Sequence, residues 1–391
     1  MRLKQAGTAV VAAVTVLLAA GCTPDEGNRP GGDLKGVGSG SECVIAAPVK
    51  VGLVLSLTNG AAFAGEYQKQ GLELAFKQLN ERKGVHYEVL LEDDETSPDK
   101  GVAVYEKLIN TDRVSVLVGP TLSSVAFPAF GDAQEAGVPA IGISTTAEGI
   151  PQLGDYIFRD SLPEQYALAA SIPAAKQALN LKTVAILHDS VDEFTSSAYT
   201  TMKETLEHEG IRIVEDESFK TTDTEFGAQL GKVAAAKPDA VVLSALPGAT
   251  IPLVKQARSM GISSPIVGGN AFNSPFMIGK LGEAAENLIV GGAWSASSGT
   301  TGNEDFINAF TAAYGRAPDQ FAAQAFTAAQ LIDVAVRADC DGNREAIKDN
   351  LGQILELDTI LGSLSIDEDG EVYQKPVVQM VKDGRLTLLD R

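Results

Sequence analysis

Short apolar runs alternate with segments of helical periodicity along most of the chain. Continuous apolar runs predict buried strands at 49–57, 114–118, 183–188 and 240–246. Between the runs lie amphipathic stretches such as 67–79, in which apolar side chains recur at helical spacing. Strands that are apolar on both faces and alternate with helices are typical of parallel sheets covered on both sides. The pattern therefore predicts an α/β fold of doubly wound parallel sheets, and the number of strands in 391 residues favours two lobes.

The pattern changes in the C-terminal part of the chain. Three helical stretches follow one another at 303–313, 320–338 and 343–350, and two strand-like runs come last, at 359–366 and 377–382. The acidic segment between the two runs lacks the Glu that closes an EF-hand calcium loop. We therefore interpret that segment as a turn and not as a metal site.

The first residues have the parts of a secretory signal peptide. Arg2 and Lys4 give a basic start, an apolar stretch follows at 9–20, and small residues precede Cys22. This arrangement resembles a bacterial lipoprotein signal, in which cleavage occurs before the cysteine and lipid is attached to it. We therefore predict a signal peptide at 1–21, a lipid-modified Cys22 and an extracytoplasmic protein anchored to the membrane. An ordinary signal peptide with a coincidental cysteine is the alternative.

The segment 22–43 is rich in Gly, Pro, Ser and charge, which predicts a flexible tether. Export also changes what the cysteines imply, because disulfides persist outside the cytoplasm. If Cys22 carries lipid, Cys43 and Cys340 remain, and their simplest arrangement is a disulfide with each other. Two buried free thiols are the alternative.

Charge and composition exclude several classes of function. The chain has 31 basic and 51 acidic residues, and its formal net charge of −20 argues against nucleic acid as a partner. Three His and three Cys leave little material for a metal site, so we expect neither a metal nor a cofactor. The sequence has no nucleophile elbow, phosphate-binding loop or dinucleotide-binding glycine motif. We therefore expect a protein that is not an enzyme, and an exported α/β enzyme is the least favoured alternative.

Hydroxyl side chains are concentrated where two neighbouring predicted strands end. Thr121, Ser123 and Ser124 follow one strand, and Ser144, Thr145 and Thr146 follow the next. Open parallel sheets bind ligands at the carboxyl ends of their strands. A helix N-terminus there adds unpaired N–H donors and a partial positive charge. The hydroxyl loops therefore predict an uncharged cradle for a carboxylate, whereas plain helix capping would explain one hydroxyl in each loop.

Several segments resemble, in order and spacing, the type I periplasmic binding proteins. They include VKVGLVLSL at 49–57, VLVGPTLSS at 116–124, GVPAIGISTTA at 137–147 and PDQFAAQAFTAAQLIDVAV at 318–336. Within that fold the chain is similar to the leucine/isoleucine/valine-binding family, the substrate-capture component of ABC importers. The resemblance implies two α/β lobes joined by three crossovers, with the ligand caught in the cleft between them.

The resemblance also implies limits for the lobes. With crossovers near 163, 294 and 363, the first lobe comprises 44–163 and 295–362, and the second comprises 164–294 and 363–391. It further implies a monomer that delivers its solute to a membrane permease. A module of the same fold that serves a sensor is the alternative.

The family's ligand contacts carry over onto matching positions of this chain. Ser123 and Thr146 would hold the ligand carboxylate, with help from the backbone of Thr145. Phe63 and Ala64 would lie near the pocket for the ligand side chain.

The matching positions near the ligand ammonium depart from the family. Glu164 sits where the family often has an Asp, and Phe194 matches a position that is often Tyr and closes from the second lobe. Asn270 stands where amino-acid binders commonly have a Glu, so a charge-assisted hydrogen bond to an ammonium is lost there. We therefore expect a small carboxylate-bearing solute, first an amino acid of the branched-chain type. An amide or a small organic acid without an amine is the alternative.

Overall fold

The structure, a computed structural model, describes residues 34–389. The predicted signal peptide at 1–21, Cys22 and the first part of the predicted tether lie outside these residues. No helix within 34–389 combines the length and the apolar character that crossing a bilayer requires.

The first lobe is built on a five-stranded parallel sheet. Its elements are β1 (Val49–Leu55), α1 (Ala62–Glu81), β2 (Tyr87–Asp93), α2 (Pro98–Glu106), β3 (Val116–Val118), α3 (Ser123–Glu135), β4 (Ala140–Gly142) and β5 (Ile157–Arg159). The strand order is β2-β1-β3-β4-β5. Six of the seven residues of β1 are buried, because helices cover both faces of the sheet. This burial explains why β1 is an almost unbroken apolar run.

The second lobe repeats the alternation of strand and helix. Its elements are α4 (Glu164–Leu179), β6 (Thr183–Asp189), α5 (Glu193–His208), β7 (Arg212–Phe219), α6 (Gly227–Ala236), β8 (Ala240–Ser244), α7 (Pro247–Ser259), β9 (Ile266–Gly268), α8 (Pro275–Leu281) and β10 (Leu288–Gly292). The neighbouring pairs among these strands are all parallel. The doubly wound α/β architecture expected from the sequence is confirmed.

The chain then returns to the first lobe. It forms α9 (Asn303–Tyr314), α10 (Gln320–Ala338), α11 (Arg344–Leu351) and a small antiparallel sheet of β11 (Leu357–Thr359), β12 (Gly362–Ile366) and β13 (Val372–Gln374). Helix α10 packs along α1, and their backbones approach closely at Gly71. A Cβ at that position would lie 2.3 Å from the Ala322 carbonyl oxygen, so the contact requires glycine.

The third crossover lies later in the chain than the predicted position near 363. Leu364, Ile366 and Val372 belong to the same buried cluster as the residues of β1, so this segment packs in the first lobe. The chain then enters the second sheet as β14 (Val377–Lys382) and β15 (Arg385–Leu388). These strands add an antiparallel edge to that sheet, whose order is β15-β14-β10-β9-β8-β6-β7. The sequence misplaced this crossover because an apolar strand does not show which of the two lobe cores it will join. The other predicted lobe limits stay predictions.

Part of the predicted tether is folded against the first lobe. Val37 forms a bridge with Val44, and the Gly36 N–H donates to the Cys340 carbonyl at 2.8 Å. The sulfurs of Cys43 and Cys340 are joined as a disulfide, and both residues are buried. The composition of 34–43 predicted a tether because composition does not show that the disulfide between Cys43 and Cys340 holds this segment against the lobe.

Candidate functional site

A cavity of about 280 Å3 lies between the two lobes, at the carboxyl ends of strands from both sheets. The first lobe contributes the N-terminus of α1 and the loops that follow β3 and β4. The second lobe contributes the starts of α5 and α7 and the turn after β9. This position is the one at which open α/β sheets bind ligands.

Two of the loop hydroxyls belong to the scaffold of the cavity. Thr121 Oγ1 donates to Gln68 Oε1 at 2.6 Å and accepts the Ser56 N–H at 3.0 Å. Ser144 Oγ donates to the Thr121 carbonyl and accepts from Gln68 Nε2 at 2.7 Å. The buried Gln68 therefore joins both loops to α1 and fixes their spacing.

Ser123 and Thr146 line the cavity with hydroxyls that remain able to donate. Ser123 Oγ accepts the Ala147 N–H at 3.2 Å, which leaves its own O–H for a ligand. The Thr146 hydroxyl makes no hydrogen bond to protein within residues 34–389. Ser123 is also the first residue of α3, where backbone N–H groups have no partner within the helix. Two hydroxyls beside a helix N-terminus suit a carboxylate.

The second hydroxyl loop is held from behind by a buried guanidinium. Arg159 Nη1 donates to the carbonyls of Thr145 and Ala147, at 3.1 Å and 2.7 Å. Its other nitrogens pair with the Glu371 carboxylate, with Nε to Oε1 at 2.8 Å. Arg159 is therefore committed to positioning the loop, although Glu371 is 212 residues away along the chain.

Thr145 and Ser124 do not line the cavity. The Thr145 side chain is buried, its Oγ1 has no hydrogen-bond partner within the described part of the chain, and its carbonyl accepts from Arg159. Ser124 is partly buried one position further into α3, and it lies outside the lining. Of the adjacent hydroxyl residues in each loop, Ser123 lines the cavity while Ser124 does not, and Thr146 lines it while Thr145 does not.

Phe63 and Ala64 line the cavity from the start of α1. The Phe63 ring stacks on Phe276 of the second lobe, with centroids 4.8 Å apart. A second contact between the lobes runs from Ser274 Oγ to Asp319 Oδ2, at 2.7 Å. These contacts join the two lobes beside the cavity.

Phe194 and Asp192 line the cavity from the start of α5. Asp192 is the N-cap of that helix, and its Oδ1 accepts the Thr195 N–H at 3.2 Å. Burial raises the pKa of Asp192 to about 6. Asp192 therefore brings an acidic side chain to the cavity lining, where it can stand in for the Glu that the family commonly has near the ligand ammonium.

Glu164 and Asn270 form a bonded pair in which only Asn270 reaches the cavity. Glu164 Oε2 accepts the backbone N–H of Asn270 at 3.0 Å and its Nδ2 at 2.8 Å. Burial raises the pKa of Glu164 to about 7. The Asn270 amide also donates to the Leu162 carbonyl and accepts from Gln320 Nε2. Its polar atoms are therefore already bonded to protein, and Glu164 does not stand in for the missing acid.

Sequence reasoning missed the part of the lining that α10 contributes. Gln320, Phe321 and Gln324 all line the cavity. The available signal was the pair of Gln residues at i and i+4 near the start of a helix made mostly of Ala and Phe. Their spacing puts both amides on the helix face that must be buried.

The hydroxyls that line the cavity suit the binding of a small anion. The loop hydroxyls have no adjacent His or Lys among their hydrogen-bond partners in residues 34–389, so none is activated as a nucleophile. Among the described residues, no group of three or more His, Cys, Asp or Glu could hold a metal ion. A cavity between two lobes, lined by such groups, is typical of a solute-binding protein.

The chain belongs to the periplasmic binding protein family, whose sequence model matches residues 48–385. It is a type I periplasmic binding protein of the leucine/isoleucine/valine-binding group, as the sequence motifs implied. Members of this family are solute-binding proteins and not enzymes. The expectation of a non-enzymatic protein is thereby confirmed.

Named relatives cover almost the whole chain. The leucine-, isoleucine-, valine-, threonine- and alanine-binding protein of Pseudomonas aeruginosa is 28% identical over 361 residues, which is 90% of this chain and 94% of the relative. The branched-chain amino acid transporter substrate binding protein LivJ of Streptococcus pneumoniae, solved with isoleucine, has a TM-score of 0.82 and 27% identity, covering 87% of this chain and 98% of LivJ. An ABC transporter solute binding protein of Rhodopseudomonas palustris, solved with 3,4-dihydroxybenzoic acid, has a TM-score of 0.79 and 25% identity, covering 87% and 95%.

Proposed function

We propose that this chain is the substrate-binding lipoprotein of an ABC importer and that it captures a small carboxylate-bearing solute between its lobes. One observation carries the proposal. The hydroxyls of Ser123 and Thr146 face the cavity beside the N-terminus of α3, while the neighbouring hydroxyls of Thr121 and Ser144 are bonded to the scaffold. Donors that a protein leaves unpaired beside a helix N-terminus suit a carboxylate.

An amino acid of the branched-chain type is the first ligand candidate. Phe63, Phe194 and Leu246 line the cavity with apolar surface that suits a short aliphatic side chain. Asp192 supplies a carboxyl group that an ammonium can pair with. The relatives named above include binders of leucine, isoleucine and valine, which supports this candidate.

A small organic acid without an amine is the second candidate. Asn270 stands where the family's amino-acid binders commonly have Glu, and its amide is bonded to Glu164, Leu162 and Gln320. Burial raises the pKa of Asp192 to about 6, which weakens it as a permanent counter-charge. The relative solved with 3,4-dihydroxybenzoic acid supports the same candidate.

We also propose that the protein is held at the extracytoplasmic face of the membrane by lipid on Cys22 and that it acts as a monomer with a membrane permease. The segment that would carry the lipid lies outside the described residues, so the sequence alone supports this part. Incorporation of labelled palmitate tests it. The wild-type protein should take up label and the Cys22→Ser variant should not; equal labelling of both would contradict the anchor.

The binding proposal is tested by calorimetry with matched acid and amide pairs. We would titrate L-valine against L-valinamide, and benzoate against benzamide. In the pair that matches the solute, the acid should bind at least about 10-fold more tightly than the amide, because the amide cannot accept charge-assisted hydrogen bonds. 3-Methylbutanoate, which is valine without its amine, separates the two ligand candidates. Amides that bind as tightly as their acids would contradict the proposal.

A further inference from the structure

Gln324 of α10 is a buried side chain that lines the cavity and has no partner in the protein. Its side chain is fully buried, with no exposed surface. Neither its Oε1 nor its Nε2 forms a hydrogen bond with any group of residues 34–389. Both atoms belong to a residue of the cavity wall. A carboxamide that is buried with all its polar atoms unpaired is uncommon, because leaving such atoms unpaired destabilises a fold.

Two other glutamines at this end of the cleft are buried but well bonded. Gln68 donates to Ser144 and accepts from Thr121. Gln320 donates to Asn270 Oδ1 at 2.9 Å, and its Oε1 accepts from Asn273 and from the Ala293 N–H. Gln324 therefore differs from Gln68 and Gln320, because the protein provides hydrogen-bond partners for those two buried amides and none for Gln324 within residues 34–389.

We propose that Gln324 binds the solute directly and that the solute carries, besides its carboxylate, a hydroxyl or carboxamide group that pairs with the Gln324 amide. The inference rests on the proposed function, because it requires a carboxylate-bearing solute in the cavity. The carboxamide of Gln324 offers one acceptor and two donors, which a hydroxyl or a second carboxamide satisfies. A purely aliphatic side chain satisfies neither, so the inference narrows the branched-chain candidate to an analogue of similar shape that carries a polar group. The solute class is thus a polar-substituted small carboxylic acid, such as a hydroxylated or carboxamide-bearing amino acid or a hydroxylated aromatic acid.

Calorimetry with nearly isosteric pairs tests this assignment on the wild-type protein. The pairs are L-threonine with L-valine, L-asparagine with L-leucine, and 4-hydroxybenzoate with 4-methylbenzoate. Each pair exchanges a polar group for an apolar one of similar size. In the pair that fits the cavity, the polar member should bind roughly 10- to 100-fold more tightly, because the apolar member leaves the buried amide unpaired. The proposal would be overturned if the polar member bound no more tightly than the apolar member in every pair that binds.

The Gln324→Leu variant tests the assignment by removing the amide from the protein instead of the polar group from the ligand. It should lose the preference for the polar member, and the apolar member should bind as well or better. Gln330→Leu is the matched control, since Gln330 lies on the same helix outside this cavity and its substitution should leave the preference unchanged. If Gln324→Leu does not fold, as judged by circular dichroism, Gln324→Met replaces it. An unchanged preference in a folded Gln324 variant would overturn the assignment.

The two proposals fail in distinguishable ways. If no acid of the three pairs binds, or if the acids bind no better than their amides, the proposed function fails. If acids bind and require Ser123 but show no preference that depends on Gln324, the carboxylate site stands and the assignment of Gln324 is wrong.

Discussion

The two walls of the cavity offer a ligand different chemistry. The first-lobe wall presents the hydroxyls of Ser123 and Thr146 beside the start of α3. The second-lobe wall presents Phe194 and Leu246 beside the Asp192 carboxyl, and its Asn270 amide is already bonded to protein. Under the proposed function, the first lobe recognises the carboxylate and the second lobe covers the apolar body. A ligand would then meet the polar wall first, and closure would add the apolar one.

The groups behind the two walls differ as well. Behind the hydroxyl loops, Arg159 is paired with Glu371, an ion pair from which water is almost excluded. Behind Asn270, Glu164 has only amide partners, and burial raises its pKa to about 7. The first wall is therefore supported by an ion pair, whereas support of the second depends on a carboxyl group whose pKa burial raises to about 7.

The largest effect is expected from breaking the ion pair behind the first wall. Glu371→Ala leaves the buried Arg159 guanidinium without its counter-charge and should lower the free energy of unfolding by about 3–5 kcal/mol. Urea unfolding followed by circular dichroism measures it. Glu217→Ala, which breaks an ion pair with the exposed Lys232 in the second lobe, is the control and should cost about 1 kcal/mol or less. Similar losses in both variants would contradict the difference between the lobes.

The next effect concerns pH and the group behind the second wall. Glu164 ionises at its ordinary pKa of 4.5 when unfolded and at about 7 when folded, so the folded state retains its proton longer. The raised pKa of Glu164 contributes fully to the free energy of unfolding below pH 4.5. This contribution, at most about 3 kcal/mol, is lost as the pH rises to about 7.

The Glu164→Gln variant isolates this contribution from that of Asp319, whose pKa burial also raises to about 7. Unfolding in urea at pH 5 and at pH 8 should show a smaller loss of stability in the variant than in the wild type. Equal losses would mean that Glu164 titrates in the folded state as it does in water.

A somewhat smaller effect is expected at the first wall itself. Ser123→Ala should weaken binding of the solute about 10- to 150-fold, because a buried donor to an anion is removed. Ser124→Ala is the matched control one position along α3, and it should leave the affinity within about 2-fold, since Ser124 lies outside the lining. Calorimetry compares the two; equal losses would place the carboxylate elsewhere.

The smallest effect is expected at the second wall. Phe194→Ala removes apolar contact area and should weaken binding about 5- to 30-fold, or about 1–2 kcal/mol. Under the proposed function the second lobe closes over a ligand already bound to the first, so the loss should lie mainly in faster dissociation. Stopped-flow measurement of the dissociation rate checks this. A loss confined to the association rate would argue that the second wall makes the first contact.

Most of the fold could be predicted from the sequence because its strands are short apolar runs between helices of regular period. Strand β5 (Ile157–Arg159) was not predicted because it is short and ends in the buried Arg159, so it does not form an apolar run. The third crossover was misplaced because 363–374 pairs locally, and only tertiary packing shows that it joins the first lobe.

The site was less predictable than the fold, for a physical reason. The sequence shows that hydroxyls follow two strands, but not which of them are hydrogen-bonded to Gln68. Thr121 and Ser144 make those bonds, although they lie 53 and 76 residues from Gln68 along the chain. The pairing of Arg159 with Glu371 is equally remote. Hydrogen-bond partners so distant along the chain leave no local pattern, so Thr121 and Ser144 cannot be separated from Ser123 and Thr146 before the fold is known.

The central claim is that the cavity holds a carboxylate through Ser123 and Thr146, and mass spectrometry of released solute tests it most directly. Wild-type protein and the Ser123→Ala/Thr146→Ala double variant would be purified from the same rich medium and denatured. The small molecules released would then be compared. The account predicts a small carboxylic acid that co-purifies with the wild type and is strongly depleted from the variant. A released solute without a carboxylate, or an acid that the folded double variant retains in equal amount, would contradict it.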